Sequence, residues 1–459
     1  MYQSPFFRGI AKELSMKHLS FLFVFFAVTV LSANESTIVP TGHQPLAIHT
    51  SGNIVHVFCN GDDKDYDGIY EANADEKPAT WVMHDISTGS QVQTIVMQQG
   101  YFTIPFRPAF SSTKMYHPRG NRIEVFDIKT ASLIDTSFIS IDDPKVTITA
   151  VHVITEIENG IEQEKYIAYS HKSSFTDKGS FSIFDIAQKR VIAMTEVGIN
   201  PQLIRSFRNT QGDLEYLVLS EGTFGGKNST LHRLLPTPTM TMPFTITTFE
   251  LGDTGNHFDI VDQLALVLMN GSHEVFAINL VTNQLLPGSF PVGTVGYDGP
   301  RELIIDPNTN QVFISTYASD IRIGSLDDGT MLDAKATHGK AEGMALIGGN
   351  LWVCNAFKKG EYAVDSVLNI VPLDMASSID TEDIHANIVV HGGILSIASI
   401  CDFSDAELHI INAHGNIIIQ QRLSGNQQYI SLNGLPHGVY GISIRSGAKE
   451  KKCMIIHAD

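Results

Sequence analysis

Residues 125–131 read VFDIKTA, a short apolar strand that ends in an Asp and passes into a turn. The pattern returns in VMHDISTG (82–89) and IFDIAQK (183–189), with weaker copies in LHRLLPT (231–237), FAINLVT (276–282), IGSLDDG (323–329) and NIVPLDM (369–375). The aligned positions are Asp85, Asp127, Asp185, Arg233, Asn279, Ser325 and Pro372, at steps of 42, 58, 48, 46, 46 and 47 residues. A period of this length indicates a repeat architecture.

Two further pieces accompany the copies. A Gly or Pro turn leads into an apolar strand in GHQPLAI (42–48), GINPQLI (198–204), GYDGPRELII (296–305) and GKAEGMALI (339–347), with looser versions near Tyr101, Pro144 and His257. A strand rich in β-branched or aromatic residues then follows, as in IVHVFCN (54–60), EYLVLSE (215–221) and LWVCNAF (351–357). Four short strands in each of seven units predict an all-β protein, a seven-bladed β-propeller over residues 34–375. A sandwich or an irregular solenoid is the competing architecture.

The seventh unit lacks a convincing outer strand after Met375. Residues 36–42, STIVPTG, have the composition of that strand, so we expect the N-terminal strand to close the ring and leave no open edge. The G-x-x-P-x-x-I and V-x-D-I-x-T patterns resemble the YVTN-type and NHL-type seven-bladed propellers over about residues 35–375.

The composition changes after residue 375. Residues 376–387 are polar and predict a linker, and residues 388–459 alternate apolar strands with Gly turns, which predicts a small Ig-like antiparallel β-sandwich. LHIINAHGNIII (408–419) turns at Gly415, LNGLPHGVYGISI (432–444) places Leu435, Gly438 and Tyr440, and Lys452 precedes the last apolar strand. These elements resemble the C-terminal sorting domain of the bacterial type IX (Por) secretion system.

That resemblance implies the type IX machinery as a partner, a Bacteroidetes-like source, and a final place outside the cell or on the outer-membrane surface. It also implies a tail that is clipped and replaced by an anchor. The family's usual Asn-Pro near the start of the module is absent, and HANIVVHGG (385–393) stands there instead. An unrelated Ig-like end domain is the alternative.

Residues 1–33 predict a secretory signal peptide. Lys17 and His18 precede an apolar run from Leu19 to Leu31, and Met16 offers an alternative start. The run is too short for a stable membrane span, so we expect no transmembrane segment in the mature chain. A formal charge of −18 argues against binding nucleic acid.

The four cysteines are too few for a disulfide scaffold. The chain has no CxxC pair, so a zinc site is not expected. Cys59 and Cys354 occupy matching points of adjacent units in a closed ring. Equivalent positions on adjacent blades usually lie beyond disulfide reach, so buried free thiols are expected.

Residues 61–70, GDDKDYDGIY, carry carboxylates at alternate positions. Asp63, Asp65, Asp67 and Gly68 match positions 1, 3, 5 and 6 of a calcium loop of the EF type. Ala74 stands where that loop needs a bidentate Glu, and Asp75 and Glu76 could substitute only in a different geometry. The loop is either a calcium site or a solvated acidic turn. Calcium is the one cofactor that the sequence suggests.

The turns before the innermost strands are expected to ring the mouth of the central channel. Their polar residues are His43, Tyr101, Lys145, Gln202, His257, Arg301 and Glu342. They suit a small anion or a sugar, or are ordinary solvated turns in which Arg301 pairs with Glu302 and Lys340 with Glu342.

Neither a G-x-S-x-G elbow nor an H-E-x-x-H helix occurs in the chain. Two functions therefore remain open. The first is a non-enzymatic surface module that binds a protein, a glycan or a small ligand. The second is a propeller hydrolase, lyase or dehydrogenase, which a deep central pocket with converging His, Glu and Arg would favour.

Overall fold

The computed structural model describes residues 36–65, 70–71, 75–97, 107–158, 161–237, 243–292, 298–326, 329–373, 386–391, 394–399, 406–411, 417–423, 427–432, 435, 438–446 and 449–457. The predicted signal peptide lies outside these residues. The chain divides into two compact units, Met1–Leu373 and Asp374–Asp459. Each unit is built entirely from β-strands over the residues described.

The described strands of the first unit form seven antiparallel sheets of four strands, called blades 1 to 7 below. Blade 1 has β2 (Pro45–Ser51), β3 (Ile54–Cys59), β4 (Thr80–Asp85) and β5 (Gln91–Val96); blade 2 has β6 (Ala109–Phe110), β7 (Lys114–Arg119), β8 (Arg122–Asp127) and β9 (Leu133–Ser140); blade 3 has β10 (Thr147–Glu158), β11 (Ile161–Lys172), β12 (Lys178–Asp185) and β13 (Arg190–Ile199). Blade 4 has β14 (Pro201–Arg208), β15 (Leu214–Ser220), β16 (Thr230–Pro236) and β17 (Phe244–Glu250); blade 5 has β18 (Gly255–Val261), β19 (Leu264–Met269), β20 (Glu274–Asn279) and β21 (Gln284–Pro291). Blade 6 has β22 (Pro300–Asp306), β23 (Gln311–Thr316), β24 (Asp320–Ser325) and β25 (Met331–Ala336); blade 7 has β26 (Gly339–Ile347), β27 (Asn350–Lys358), β28 (Val364–Pro372) and β1 (Thr37–Pro40).

The blades form a closed ring because each one shares a hydrophobic cluster with the next. The pairs that share a cluster are Trp81 and Met115 (blades 1 and 2), Ile123 and Ile167 (2 and 3), Phe181 and Tyr216 (3 and 4), Leu219 and Phe258 (4 and 5), Leu268 and Leu303 (5 and 6), Phe313 and Leu351 (6 and 7), and Val57 and Trp352 (1 and 7). The core of the unit therefore lies between the blades. Burying one such side chain stabilises the fold by about 1.5–3 kcal/mol.

The N-terminal strand completes the ring. β1 pairs antiparallel with β28, with Thr37 opposite Ile370 and Pro40 opposite Val367. It supplies the fourth strand of blade 7, whose other three strands come from residues 339–372. The N-terminal strand and the last three strands of the unit thus belong to one sheet, and the edge of β28 is covered.

The Gly that begins the repeated G-x-x-P turn has a steric reason. A Cβ on Gly42 would lie 2.2 Å from Thr80 Oγ1, and a Cβ on Gly198 would lie 2.2 Å from Thr230 Oγ1. In both blades, therefore, the chain enters the first strand by crossing closely over the start of the third strand, where no larger residue fits.

The second unit contains two antiparallel sheets in its described residues. One joins β29 (Ala386–His391), β30 (Ile394–Ser399) and β33 (Gln427–Ser431), and the other joins β32 (Ile417–Arg422), β31 (Ala406–Ile411), β34 (Gly438–Ser446) and β35 (Lys449–His457). Leu408, Ile430 and Ile442 share one core. β29 begins inside the segment that the sequence predicts as a linker.

Candidate functional site

A cleft opens where the loops between the second and third strands of blades 4 to 7 meet. Its volume is about 630 Å³. Its lining residues are Phe224, Asn270, Gly271, His273, Arg301, Tyr317 and Tyr362. We call it the mouth cleft. Phe224 is 78% exposed and Tyr362 is 53% exposed, so two aromatic side chains stand open to solvent beside it.

The cations in and beside the mouth cleft, Arg301 and Lys340, are paired with carboxylates. Arg301 donates from Nε and Nη2 to the Glu342 carboxylate at 3.1–3.2 Å, and its guanidinium lies 4.8 Å from the centre of the Tyr317 ring. Lys340 Nζ lies 3.6 Å from Asp298 Oδ1 and 4.5 Å from the centre of the Tyr362 ring. The two aromatic rings are thus held by cation–π contacts as well as by packing.

A second polar cluster lies where the start of β14 meets the ends of β11 and β15. Asn200 and Gln202 both donate from their side-chain amides to Glu221 Oε2, and Lys172 donates to Asn200 Oδ1. Burial raises the pKa of Glu221 and lowers the pKa of Lys172 to about 8. Gln202 is therefore held in place by Glu221.

The central channel is polar. Two adjacent cavities of about 310 and 240 Å³ share His49, Arg107, Pro108, Phe110 and Arg205. Residues of β2, β6, β10, β14, β18, β22 and β26 line them, so the first strand of every blade contributes to the wall. Arg107 Nη1 lies 2.7 Å from Glu302 Oε2, and His257 Nε2 lies 3.9 Å from Glu302 Oε1. His, Glu and Arg converge here, and the channel is not an apolar plug.

Burial sets the charges of the channel. It lowers the pKa of His49 to about 4 and that of His152 to about 3, and it holds the pKa of His257 well below its usual range. These imidazoles are neutral at pH 7. Burial also raises the pKa of Glu302, with Arg107 opposing the shift.

The structure separates the residues predicted to ring the channel mouth. Arg301 lines the mouth cleft and contacts Glu342, whereas Gln202 and the buried His257 line the deeper channel. His43 lies in the turn before β2, where its carbonyl accepts from the Gly61 amide at 3.0 Å. Lys145 is exposed and lines neither the mouth cleft nor the two channel cavities, and Tyr101 is outside the described residues.

The predicted pairing of neighbouring charges is wrong. Arg301 pairs with Glu342, while Glu302 pairs with Arg107 and Lys340 with Asp298. Successive residues of a strand point to opposite faces, so Arg301 and Glu302 cannot meet. The sequence reasoning also missed Arg107, Arg205 and the exposed aromatic residues of the cleft. The alternation of residues along the first strands could have placed Arg205 in the channel. The equivalent loops of successive repeats could have brought the aromatic residues together.

The acidic loop between β3 and β4 brings three carboxylates together. Ligand atoms of Asp63, Asp65 and Glu76 all lie within 4.8 Å of one another. Glu76 is buried, and its carboxylate accepts from the amides of Lys64 at 3.0 Å and Glu71 at 2.8 Å. Asp67, the third predicted ligand, is outside the described residues. Glu76 takes the place in the cluster that the EF-type alignment gave to Ala74.

Cys59 and Cys354 are buried, free thiols. Cys59 and Cys354 belong to the same cluster between blades 1 and 7. Burial raises the pKa of the Cys59 thiol to about 12, so it stays protonated and unreactive at neutral pH.

The sorting-motif residues have structural positions in the second unit. Tyr440 is buried in its core, Leu435 packs against that core, and Gly438 begins β34. Lys452 lies in β35 opposite Ser443. Gly415 is outside the described residues.

The ring of four-stranded sheets around a polar channel defines a β-propeller. A solved structure described as the Dos1 propeller is similar to this chain, with a TM-score of 0.51 and 10% identity, over 73% of this chain and 95% of that one. The computationally designed Ika8 protein has a TM-score of 0.46 and 12% identity, over 92% of this chain and all of that one. At 10% identity the likeness to the Dos1 propeller concerns the fold alone. No curated protein matches the chain.

Residues 392–457 match the family described as the secretion system C-terminal sorting domain. The match confirms the resemblance of the C-terminal module and indicates export by the type IX machinery to the cell surface or the medium. Nowhere in the described residues is there a helix long and apolar enough to cross a membrane.

Proposed function

We propose that this protein is a surface or secreted binding module that leaves the cytoplasm by a signal peptide and reaches the exterior through its type IX tail. The match at residues 392–457 supports the second step. The mouth cleft of the propeller then binds a neutral glycan. The observation that carries this proposal is the pair of exposed aromatic side chains beside a cleft of about 630 Å³.

The size and the lining of the mouth cleft suit a short stretch of sugar units. Small-molecule sites are typically concave, with volumes of about 300–1,000 Å³, and combine aromatic walls with a few placed polar groups. Here Phe224, Tyr317 and Tyr362 supply rings, and Asn270 and His273 supply polar groups. The apolar faces of a sugar ring can pack on the aromatic rings while its hydroxyls meet the polar side chains.

The charges of the mouth cleft favour a neutral ligand. Arg301 is compensated by Glu342, and Lys340 by Asp298. A phosphate or carboxylate would have to compete with carboxylates that already hold both cations. A sugar hydroxyl, in contrast, can add a hydrogen bond without breaking either pair.

The test is titration calorimetry with cello-, malto- and manno-oligosaccharides on the unmodified chain and on two variants. Phe224→Ala removes a cleft residue, and Phe175→Ala is the matched control, because Phe175 is 71% exposed but does not line the cleft. We expect Phe224→Ala to weaken binding about tenfold. Equal affinities for the two variants, or no binding by any neutral oligosaccharide, would contradict the proposal.

An enzyme is the second candidate, and the convergence of His257, Glu302 and Arg107 in the channel favours it. A buried carboxyl with a raised pKa beside a neutral imidazole can act as an acid–base pair. Screening small ester, lactone and uronate substrates that fit the channel cavities tests this candidate. Turnover that disappears in Glu302→Gln while the protein stays folded would establish it.

A further inference from the structure

The central channel contains a cation for which the described residues provide no partner. Arg205 extends from β14 and lines both channel cavities. Within the described residues, its guanidinium makes no hydrogen bond and no ion pair. Asp259 and Glu302 act on it only at longer range.

The other charged groups of the channel wall, and most of its neutral ones, are already engaged. Arg107 pairs with Glu302 at 2.7 Å, and Asp259 accepts the backbone amides of Ile260 at 2.9 Å and Ile305 at 3.3 Å. His152 Nε2 lies 2.8 Å from Ser206 Oγ, and His49 stacks on Phe110 with ring centres 3.7 Å apart. These pairings leave the Arg205 fork open toward the cavity.

An arginine in this setting calls for an anion. The guanidinium does not lose its proton in proteins, and the charge of the half-buried Arg205, partly removed from bulk water, is costly unless it is paired. We propose that the channel holds the carboxylate of a small organic acid, such as an acidic sugar, on Arg205. This site is separate from the mouth cleft and does not depend on its occupant.

Geometry and charge both favour a carboxylate. The planar fork of arginine matches two carboxylate oxygens with parallel hydrogen bonds. Arg107 is paired with Glu302, and Asp259 acts on Arg205 only at longer range, so the wall has too little surplus positive charge to hold a dianion such as phosphate. The cavities, at about 310 and 240 Å³, admit a small molecule but not a polymer segment.

The test is titration calorimetry on the full chain with sodium acetate, sodium glucuronate, inorganic phosphate and glucose. We expect the two carboxylates to bind and glucose not to bind. Arg205→Met should weaken carboxylate binding by about 10- to 100-fold, since it removes charge-assisted hydrogen bonds. Arg205→Lys keeps the charge but loses the fork, and it should retain part of the affinity.

Two controls separate the site from general effects. Arg190→Met changes an exposed arginine on the outer strand of blade 3, and Phe224→Ala changes only the mouth cleft; both should bind glucuronate as the unmodified chain does. Without ligand, Arg205→Met should melt at a higher temperature than the unmodified chain, because an unpaired charge is gone.

The proposal is overturned if neither carboxylate binds, or if Arg205→Met binds them undiminished. Tighter binding of inorganic phosphate than of glucuronate would overturn the assignment to a carboxylate. A lower melting temperature of ligand-free Arg205→Met, with Arg205→Lys binding like the unmodified chain, would make Arg205 a structural residue only.

Discussion

The Asp that ends the third strand of blades 1, 2 and 3 closes the turn that follows it. Asp127 Oδ1 accepts the amides of Lys129 at 3.0 Å and Thr130 at 2.7 Å, and Asp185 Oδ1 accepts that of Gln188 at 2.7 Å. Asn279 does the same in blade 5. Asp and Asn favour such turns because a short side-chain oxygen reaches the backbone two or three residues on. The repeat signature is therefore a structural device and not a set of functional residues.

We propose that Asp63, Asp65 and Glu76 of the acidic loop bind calcium. Calcium should raise the melting temperature of the unmodified chain, because it offsets the repulsion among three carboxylates. The double variant Asp63→Asn with Asp65→Asn should lose that rise, and in EDTA it should melt above the unmodified chain. Thermal melts with and without calcium measure both effects.

The control for the calcium melts is Asp177→Asn, an exposed aspartate in a loop of blade 3. It should keep the full response to calcium. If the unmodified chain shows no response, the loop is only a solvated acidic turn.

His56 gives a prediction for acid stability. Its Nδ1 accepts from Trp81 Nε1 at 3.1 Å, and burial lowers its pKa from 6.5 to about 4. Between these two values the unfolded chain binds more protons, so stability falls as pH falls through that window. One such group lowers the free energy of unfolding by about 2 kcal/mol between pH 7.5 and pH 5.

His56→Asn keeps an acceptor near the indole and does not titrate in this range. Urea unfolding at pH 7.5 and pH 5 should show the variant losing about 2 kcal/mol less stability than the unmodified chain. Carboxyl and imidazole groups remote from His56 titrate equally in both proteins and cancel in this difference. The neighbouring His49, whose pKa is lowered by burial and also by His56, adds a smaller change of its own. Parallel losses would mean that His56 is not held neutral.

At the scale of elements, β1 decides how firmly the ring is closed. Val39 is buried in the cluster between blades 1 and 7, whereas the adjacent Ile38 is 48% exposed. Val39→Ala should lower the free energy of unfolding by about 1–3 kcal/mol, and the control Ile38→Ala by less than about 0.5 kcal/mol. Urea unfolding measures both. Equal small losses would mean that β1 does not contribute to closing the ring.

The elements of the propeller could be predicted from the sequence because each one has a local cause. The Gly before the first strand, the apolar second strand and the Asp-capped third strand can each be recognised from a short stretch of sequence. Pairing across blades left no such local signal. Glu302 contacts Arg107, nearly two hundred positions away in the chain, so only the closed ring brings the two together.

The candidate sites were predicted in part for the same reason. Asp63 and Asp65 were found because their alternation is local, whereas Glu76 joins them through the folding of an inserted loop. Arg301 and Glu342 were identified, but as separate members of a ring. Their pairing joins β22 of blade 6 to β26 of blade 7, and the register of β26 shifts on both sides of Ala341.

At the scale of the whole molecule, we expect the two units to have separate tasks. The propeller unit contains the cleft and the channel, and the second unit contains the match to the sorting domain. Deleting residues 374–459 removes the second unit and leaves every blade intact. The truncated chain should therefore stay in the periplasm, which fractionation and surface proteolysis of cells can measure.

Retention of the truncated chain alone would not distinguish a lost sorting signal from a misfolded protein, so the reverse experiment is needed. A fluorescent protein that folds in the periplasm should reach the cell surface when residues 374–459 are fused to its C-terminus. Tyr440→Asp in that fusion should block export, because it places a charge in the core of the second unit. Ile417→Asp is the matched control, since Ile417 is 51% exposed, and it should be exported. Surface display of the truncated propeller, or periplasmic retention of the fusion, would contradict the division of tasks.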